Sequence, residues 1–168
     1  MEIKKLNDEI GVAAQIGVAD VAAVAAAGYK TMICNRPDGE GNDQPLFQEI
    51  EAAAKAEGLE CHYLPVETGK VSDEDAERFG AAMDAARKPV FAFCRSGTRS
   101  VTLWSLSRAG LMPLPDILTA AKGAGYDMSA VVRRIANQGK AAGEAVDKHY
   151  QVVVVGAGSA GIAVASSL

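Results

Sequence analysis

The sequence has little of what metal sites and disulfide scaffolds need. Of its 168 residues only three are cysteine (Cys34, Cys61 and Cys94) and two are histidine (His62 and His149). An odd cysteine count without metal-type spacing excludes a disulfide framework, and two histidines give no basis for a His-built zinc site, so no metal is expected. Basic charge is not in excess either. Lys and Arg number 17 against 21 Asp and Glu, a formal net charge of −4, which argues against a nucleic-acid or anionic-membrane partner held by a broad basic surface. Any anion site must therefore be local. No run approaches the roughly 18 apolar residues of a membrane span, and the opening Met1-Glu2-Ile3-Lys4-Lys5-Leu6 lacks the apolar stretch of a signal peptide. These absences together read as a reduced, cytoplasmic protein.

What is present is globular in proportion: 49% apolar and 23% charged residues. The pattern alternates strand-like and helix-like segments. Strands are expected at residues 10–15, 30–35, 60–66 and 90–93. Helices are expected at 20–28, 46–57, from Ser72 to about Arg87, from about Ser100 to Ala109, at 114–123 and at 128–138. Ser72-Asp73-Glu74-Asp75 reads as an N-cap followed by first-turn acids. Gly28 and Gly58 stop the first two helices. Such alternation predicts an α/β fold with a mostly parallel sheet flanked by helices.

The most informative residues are Cys94-Arg95-Ser96-Gly97-Thr98-Arg99. They lie between an apolar strand and a helix start, where successive backbone N–H groups can curl into an anion nest. In such a nest the amides, the helix dipole and two guanidiniums favour a thiolate at Cys94. Gly97 permits the tight turn, and Arg99 offers a planar fork to a tetrahedral anion. Arg95, Ser96, Gly97 and Thr98 are thus candidate anion-binding residues. Cys94 and Arg99 are candidate catalytic residues, joined by Ser100, which reads equally as a hydrogen-bond partner of the Cys94 sulfur and as a plain cap. Asp38 and Glu67 are the candidate general acids, with Asp38 as readily explained by turn hydrogen bonds. Cys34, Cys61, Leu103 and Trp104 read as core, His62 as strand surface and Arg133-Arg134 as a solvated face.

The Cys94–Arg99 loop resembles the anion loops of tyrosine phosphatases and rhodanese-type sulfurtransferases. The phosphatase pattern has five residues between cysteine and arginine and usually a histidine before the cysteine. The single-domain rhodanese pattern has four, as here, and Phe93 stands at the histidine position. A wider segment, about Leu6 to Gln138, resembles the phosphatase-like domain of beta-lactamase-hydrolase-like proteins, also catalogued as a sulfur transferase family. That resemblance is carried by Asn35-Arg36-Pro37-Asp38-Gly39-Glu40, Leu64-Pro65-Val66, the Cys94–Ser100 run and Ala124-Gly125-Tyr126-Asp127. It implies a dual-specificity-phosphatase-like fold bearing a rhodanese-length loop.

The tail changes character. Residues 139–150 read as a linker. Residues 151–168 join a β-branched strand to Gly156-Ala157-Gly158-Ser159-Ala160-Gly161 and an apolar helix start at Ile162. Gly156, Gly158 and Gly161 resemble the dinucleotide loop of FAD-dependent oxidoreductases, sulfide:quinone oxidoreductases among them. The unit needs about 30 residues and a ribose-binding acid, so these residues read as the truncated start of a second domain. No cofactor is expected for this fragment, and FAD is expected for the C-terminal domain that would follow.

Three functional expectations result. In the first, a Cys94 persulfide moves sulfur from a small anionic donor such as thiosulfate to a thiol acceptor. In the second, Cys94 hydrolyses phosphomonoesters through a phosphocysteine. In the third, the domain is a non-catalytic sulfur relay or regulatory module for a fused flavoprotein.

Overall fold

The computed structural model describes residues 1–141, together with the backbone of residues 153–158 and 161–165. Five strands form one sheet in the order β1-β2-β5-β3-β4. They are β1 (Lys4–Lys5), β2 (Ile10–Ala13), β3 (Thr31–Cys34), β4 (Glu60–Tyr63) and β5 (Val90–Phe93). Strands β2, β5, β3 and β4 run parallel, and only the two-residue β1 is antiparallel, pairing Lys4 with Val12. Sequence reading did not anticipate β1. Its two exposed-type lysines carry no apolar pattern, and the strand exists through its pairing with β2.

Every residue of β2, β3 and β5 is buried, as a parallel sheet covered on both faces requires. The period of two sorts their side chains. Ile33, Val90 and Ala92 face one core together with Phe79, Met83, Trp104 and Ile117. Met32, Phe91 and Phe93 face the other with Val21, Val24 and Ile50. The second core is closed by α1 (Val21–Ala26) and α2 (Phe47–Ala56). The first is closed by α3 (Asp73–Ala85), α4 (Thr98–Arg108), α5 (Leu114–Gly123) and α6 (Val132–Ala136).

Local chemistry sets the helix ends. Ser72 Oγ accepts from Asp75 N–H at 3.1 Å while Asp75 Oδ2 accepts from Ser72 N–H at 3.0 Å, a reciprocal capping box that starts α3 where expected. Helix α4 begins at Thr98, two residues before the expected Ser100, because Gly97 takes the cap position. Its residues from Arg99 to Leu106 are buried without interruption, so it is the central helix behind the sheet. The segment expected as one helix over 128–138 is a 3₁₀ turn (Ser129–Val131) followed by the short α6.

The expected linker falls mostly outside the described residues. Of it, Ala141 N–H donates to both carboxylate oxygens of Asp73, and Lys140 pairs with Glu77. The tail departs from the expected strand–loop–helix. Backbone 153–158 (β6) and 161–165 (β7) form an antiparallel hairpin with Gly158 opposite Gly161. The segment from Ile162 is a strand because a lone β6 leaves a row of N–H and C=O groups unpaired, and the apolar run after it satisfies them. Gly156 and Gly158 lie in β6 and Gly161 opens β7. Among the described residues no helix follows these glycines.

The first core predicts a plain stability effect. Phe79 is fully buried on α3 against that core, so Phe79→Ala should cost about 3–5 kcal/mol. Urea unfolding would show this as a lowered midpoint with little change in slope; a midpoint unchanged from wild type would contradict this packing.

Candidate active site

The parallel strands end on one edge of the sheet, where ligand sites of such sheets form. Strand β5 delivers Cys94 there, and β3 delivers Asn35. The Cys94 side chain is buried, and its Sγ accepts from Gly97 N–H at 3.2 Å. That amide stands at the N-terminus of α4, so the sulfur sits at the positive end of the helix with a donor already aimed at it. Two other contacts hold the loop. Gln15 N–H, just past β2, donates to Arg95 O at 3.3 Å, and Tyr126 Oη donates to Ser96 O at 3.3 Å. The Ser96 hydroxyl donates to that of Thr98 at 3.2 Å.

Position 97 accepts only glycine for two independent reasons. Its φ of +86° is left-handed, and a Cβ there would lie 2.1 Å from Tyr126 Oη and 3.2 Å from Ala13 O. Tyr126 thus closes over the turn that presents Cys94.

Arg99 is buried, and its donors are shared among three partners. Nη1 donates to Asn35 O at 3.0 Å, and Nη2 donates to Glu40 Oε1 at 2.8 Å and to Thr68 Oγ1 at 2.5 Å. Glu40 in turn accepts from Arg36 Nε at 2.8 Å, and Arg36 Nη1 donates to Gln15 Oε1 at 3.0 Å. Burial alone would raise the Glu40 carboxyl, but the Arg36 hydrogen bond, the Arg99 charge and the Thr68 hydroxyl outweigh it and hold it below the usual carboxylate range. Glu40 is therefore an anchor for Arg99 and not an acid with a proton to give.

Ser100 does not serve the sulfur. Its Oγ donates to Asn35 Oδ1 at 2.9 Å, while Asn35 Nδ2 donates to Leu64 O at 3.0 Å. Asn35 therefore ties α4, β3 and the segment after β4 together beside the loop. The two expected acids also stand elsewhere. Asp38 Oδ1 accepts from Phe47 N–H at 2.8 Å, capping α2, and Asp38 N–H donates to Tyr63 Oη at 2.7 Å. Glu67 is exposed and pairs with Lys70 at 2.6 Å.

Beside Cys94 opens a cavity of 510 Å³. The Cys94–Arg99 loop forms one wall; Val71, Thr102, Val131 and Arg134 contribute to the rest. No carboxylate lines it among the described residues. Arg133 is exposed as expected, but Arg134 turns inward, donating from Nη1 to Val71 O at 2.7 Å and from Nη2 to Asp73 Oδ1 at 2.6 Å. The other two thiols are core groups. Burial pushes both Cys34 and Cys61 up to about 12, which makes them poor nucleophiles near neutral pH.

Sequence reading placed the loop and missed what holds it. Asn35, Glu40 and Tyr126 stood in the motifs without a role, Thr68 was read only as part of a turn, and Arg134 was read as a solvated face. A buried arginine requires a carboxylate partner, and the Asn35–Glu40 motif was the place to look.

Two predictions follow from this geometry. Gly97→Ala should abolish tungstate binding in calorimetry, because the left-handed turn alone costs about 1–2 kcal/mol and the Tyr126 contact must also be broken; unchanged binding would remove the steric argument. The depressed Glu40 carboxyl means that the unfolded chain binds more protons between its folded and unfolded values. Its contribution to stability is thus present above roughly pH 4.3 and is lost as pH falls through the folded value. Glu40→Gln should flatten the acid limb of a stability–pH curve; a limb parallel to wild type would contradict the network.

Comparison with known proteins agrees with the geometry. Residues 2–111 match the family model described as beta-lactamase hydrolase-like protein, phosphatase-like domain. A beta-lactamase hydrolase-like protein of Agrobacterium fabrum is 34% identical over 143 residues, 84% of this chain and 33% of its own length. One from Xylella fastidiosa is 29% identical over 140 residues, 82% of this chain and 32% of its own length. The chain thus spans about a third of these curated relatives. Among solved structures, a Neisseria meningitidis protein described as a candidate phosphatase is 36% identical with a TM-score of 0.74, covering 82% of this chain and 99% of that one. Tk-PTP (16%, TM-score 0.62, 81% of this chain and 94% of that one) and the yeast PP-IP phosphatase Siw14 (14%, 0.60, 79% and 82%) share the fold. The chain belongs to the family of phosphatase-like domains found in beta-lactamase hydrolase-like proteins.

Proposed function

We propose that this chain is a cysteine-dependent phosphatase that works through a phosphocysteine at Cys94. The observation that carries the reading is the Cys94 sulfur, poised at the α4 N-terminus beside a cavity and next to an arginine fixed by three partners. Family membership supports it. In the reaction the sulfur attacks phosphorus, the S–P bond forms, and the bond to the leaving oxygen breaks with its electron pair on that oxygen. The loop amides and Arg99 stabilise the charge on the phosphoryl oxygens. Water then attacks phosphorus, the O–P bond forms, the S–P bond breaks to regenerate the thiolate, and the water's proton ends on a phosphate oxygen.

Wild type should release inorganic phosphate from p-nitrophenyl phosphate, and Cys94→Ser should lose about a thousandfold or more of that rate. Phosphate release that survives in Cys94→Ser would remove the cysteine from the chemistry.

A second reading, sulfur transfer through a Cys94 persulfide, is favoured by two features. The loop has four residues between Cys94 and Arg99, and the acids expected to serve a phosphatase, Asp38 and Glu67, are engaged elsewhere. Transfer of sulfur from thiosulfate expels sulfite, which needs no proton. Under this reading wild type treated with thiosulfate gains about 32 Da, a gain absent from Cys94→Ser and reversed by cyanide. No adduct would rule out thiosulfate as donor.

A further inference from the structure

The cavity carries two further cationic groups besides Arg99, one within the loop and one outside it. Arg95 lines it and is exposed, and its side chain has no hydrogen bond or ion pair among the described residues. Arg134 lines it as well. Val71 O and Asp73 hold two of its nitrogens, and its buried Nε has no hydrogen-bond partner among the described residues. Arg134 is thus a guanidinium held at the cavity wall by Val71 O and Asp73.

Two further facts narrow the ligand. A 510 Å³ cavity is far larger than one tetrahedral anion and suits a small molecule. The nearby carboxylates are also committed: Asp38 caps α2, Glu67 pairs with Lys70, and Glu40 is clamped between Arg36 and Arg99. A site without an acid to protonate the departing oxygen works best on a leaving group that is stable as an anion. A departing phosphate is such a group, since its second ionisation falls near pH 6. It is also a group that a guanidinium can bind through two parallel hydrogen bonds.

Resting on the phosphocysteine reading, we propose that the substrate is a phosphoric anhydride, a terminal diphosphate, with Arg95 and Arg134 receiving the departing phosphate. The Cys94 sulfur attacks the terminal phosphorus, and the S–P bond forms. The bond to the bridging oxygen breaks, and its electron pair leaves on the departing phosphate. Water then attacks the phosphocysteine; the O–P bond forms, the S–P bond breaks, and the water's proton ends on a phosphate oxygen. The net change is addition of one water across the anhydride.

The test uses Cys94→Ser as a binding scaffold and wild type for turnover. Calorimetry on Cys94→Ser should show inorganic pyrophosphate binding more tightly than orthophosphate. Adding Arg134→Gln, or Arg95→Gln, should lower the ratio of the two affinities about tenfold or more. Arg95→Gln guards against loss of the Asp73 and Val71 contacts, because the Arg95 side chain has no hydrogen bond or ion pair among the described residues. Equal affinity for the two anions, or equal loss of both in each variant, would overturn the second anion site, since a merely structural defect lowers both alike. In the turnover arm, wild type should cleave pyrophosphate faster than glycerol phosphate, and the reverse order would overturn the substrate class. Selective pyrophosphate binding with no Cys94-dependent release of phosphate from p-nitrophenyl phosphate would remove the phosphocysteine reading and leave the anion site standing. Release of phosphate without that selectivity would do the opposite.

Discussion

A buried guanidinium must be paired, and the site is organised around that requirement. Arg99 sits on the first turn of α4, within the part of the fold where the parallel strands end. Its positive charge in that setting is tolerable only because Asn35 O, Glu40 and Thr68 meet it. Glu40 is itself balanced by Arg36, and Arg36 reaches Gln15 beyond β2. The chain of contacts therefore joins the ends of β2, β3 and β5 through one arginine. Removing a member leaves a buried charge unmet, so the loop and its support stand or fall together.

The same network explains why Glu40 is an anchor and not an acid. Carboxylates near a strongly cationic loop are pulled into ion pairs, and Glu40, held below the usual carboxylate range, is the clearest case. What the cavity offers a ligand is positive charge and N–H groups. Such a site stabilises charge that develops on a transferred group and does little to protonate what departs. The leaving group must then carry its own stability, a constraint shared by sulfite and by a departing phosphate.

Much of this was legible in the residues. The apolar run Val90–Phe93, the Ser72 cap and the Leu114–Gly123 helix are set by local patterning, and the structure has them at those positions. Cys94 and Arg99 were legible because strand, nucleophile, glycine and helix follow each other within a few residues. Their supports were not. Ser100 bonds Asn35 across 65 positions, and Arg134 bonds Asp73 across 61, and no local pattern encodes such a meeting. Strand β1 and the strand β7 that pairs with the anticipated β6 were missed for a related reason: each depends on which backbone partner is near, not on its own propensity.

The central claim is that a phosphoryl group passes through the Cys94 sulfur. Wild type mixed with p-nitrophenyl phosphate, quenched in acid within a turnover and weighed as the intact chain, tests it directly. The account predicts a gain of about 80 Da, mapped to Cys94 and absent from Cys94→Ser. Hydrolysis that proceeds with no phosphoryl adduct on Cys94 at any quench time, alongside a stable gain of about 32 Da from thiosulfate, would contradict it and assign the sulfur nucleophile to sulfur transfer.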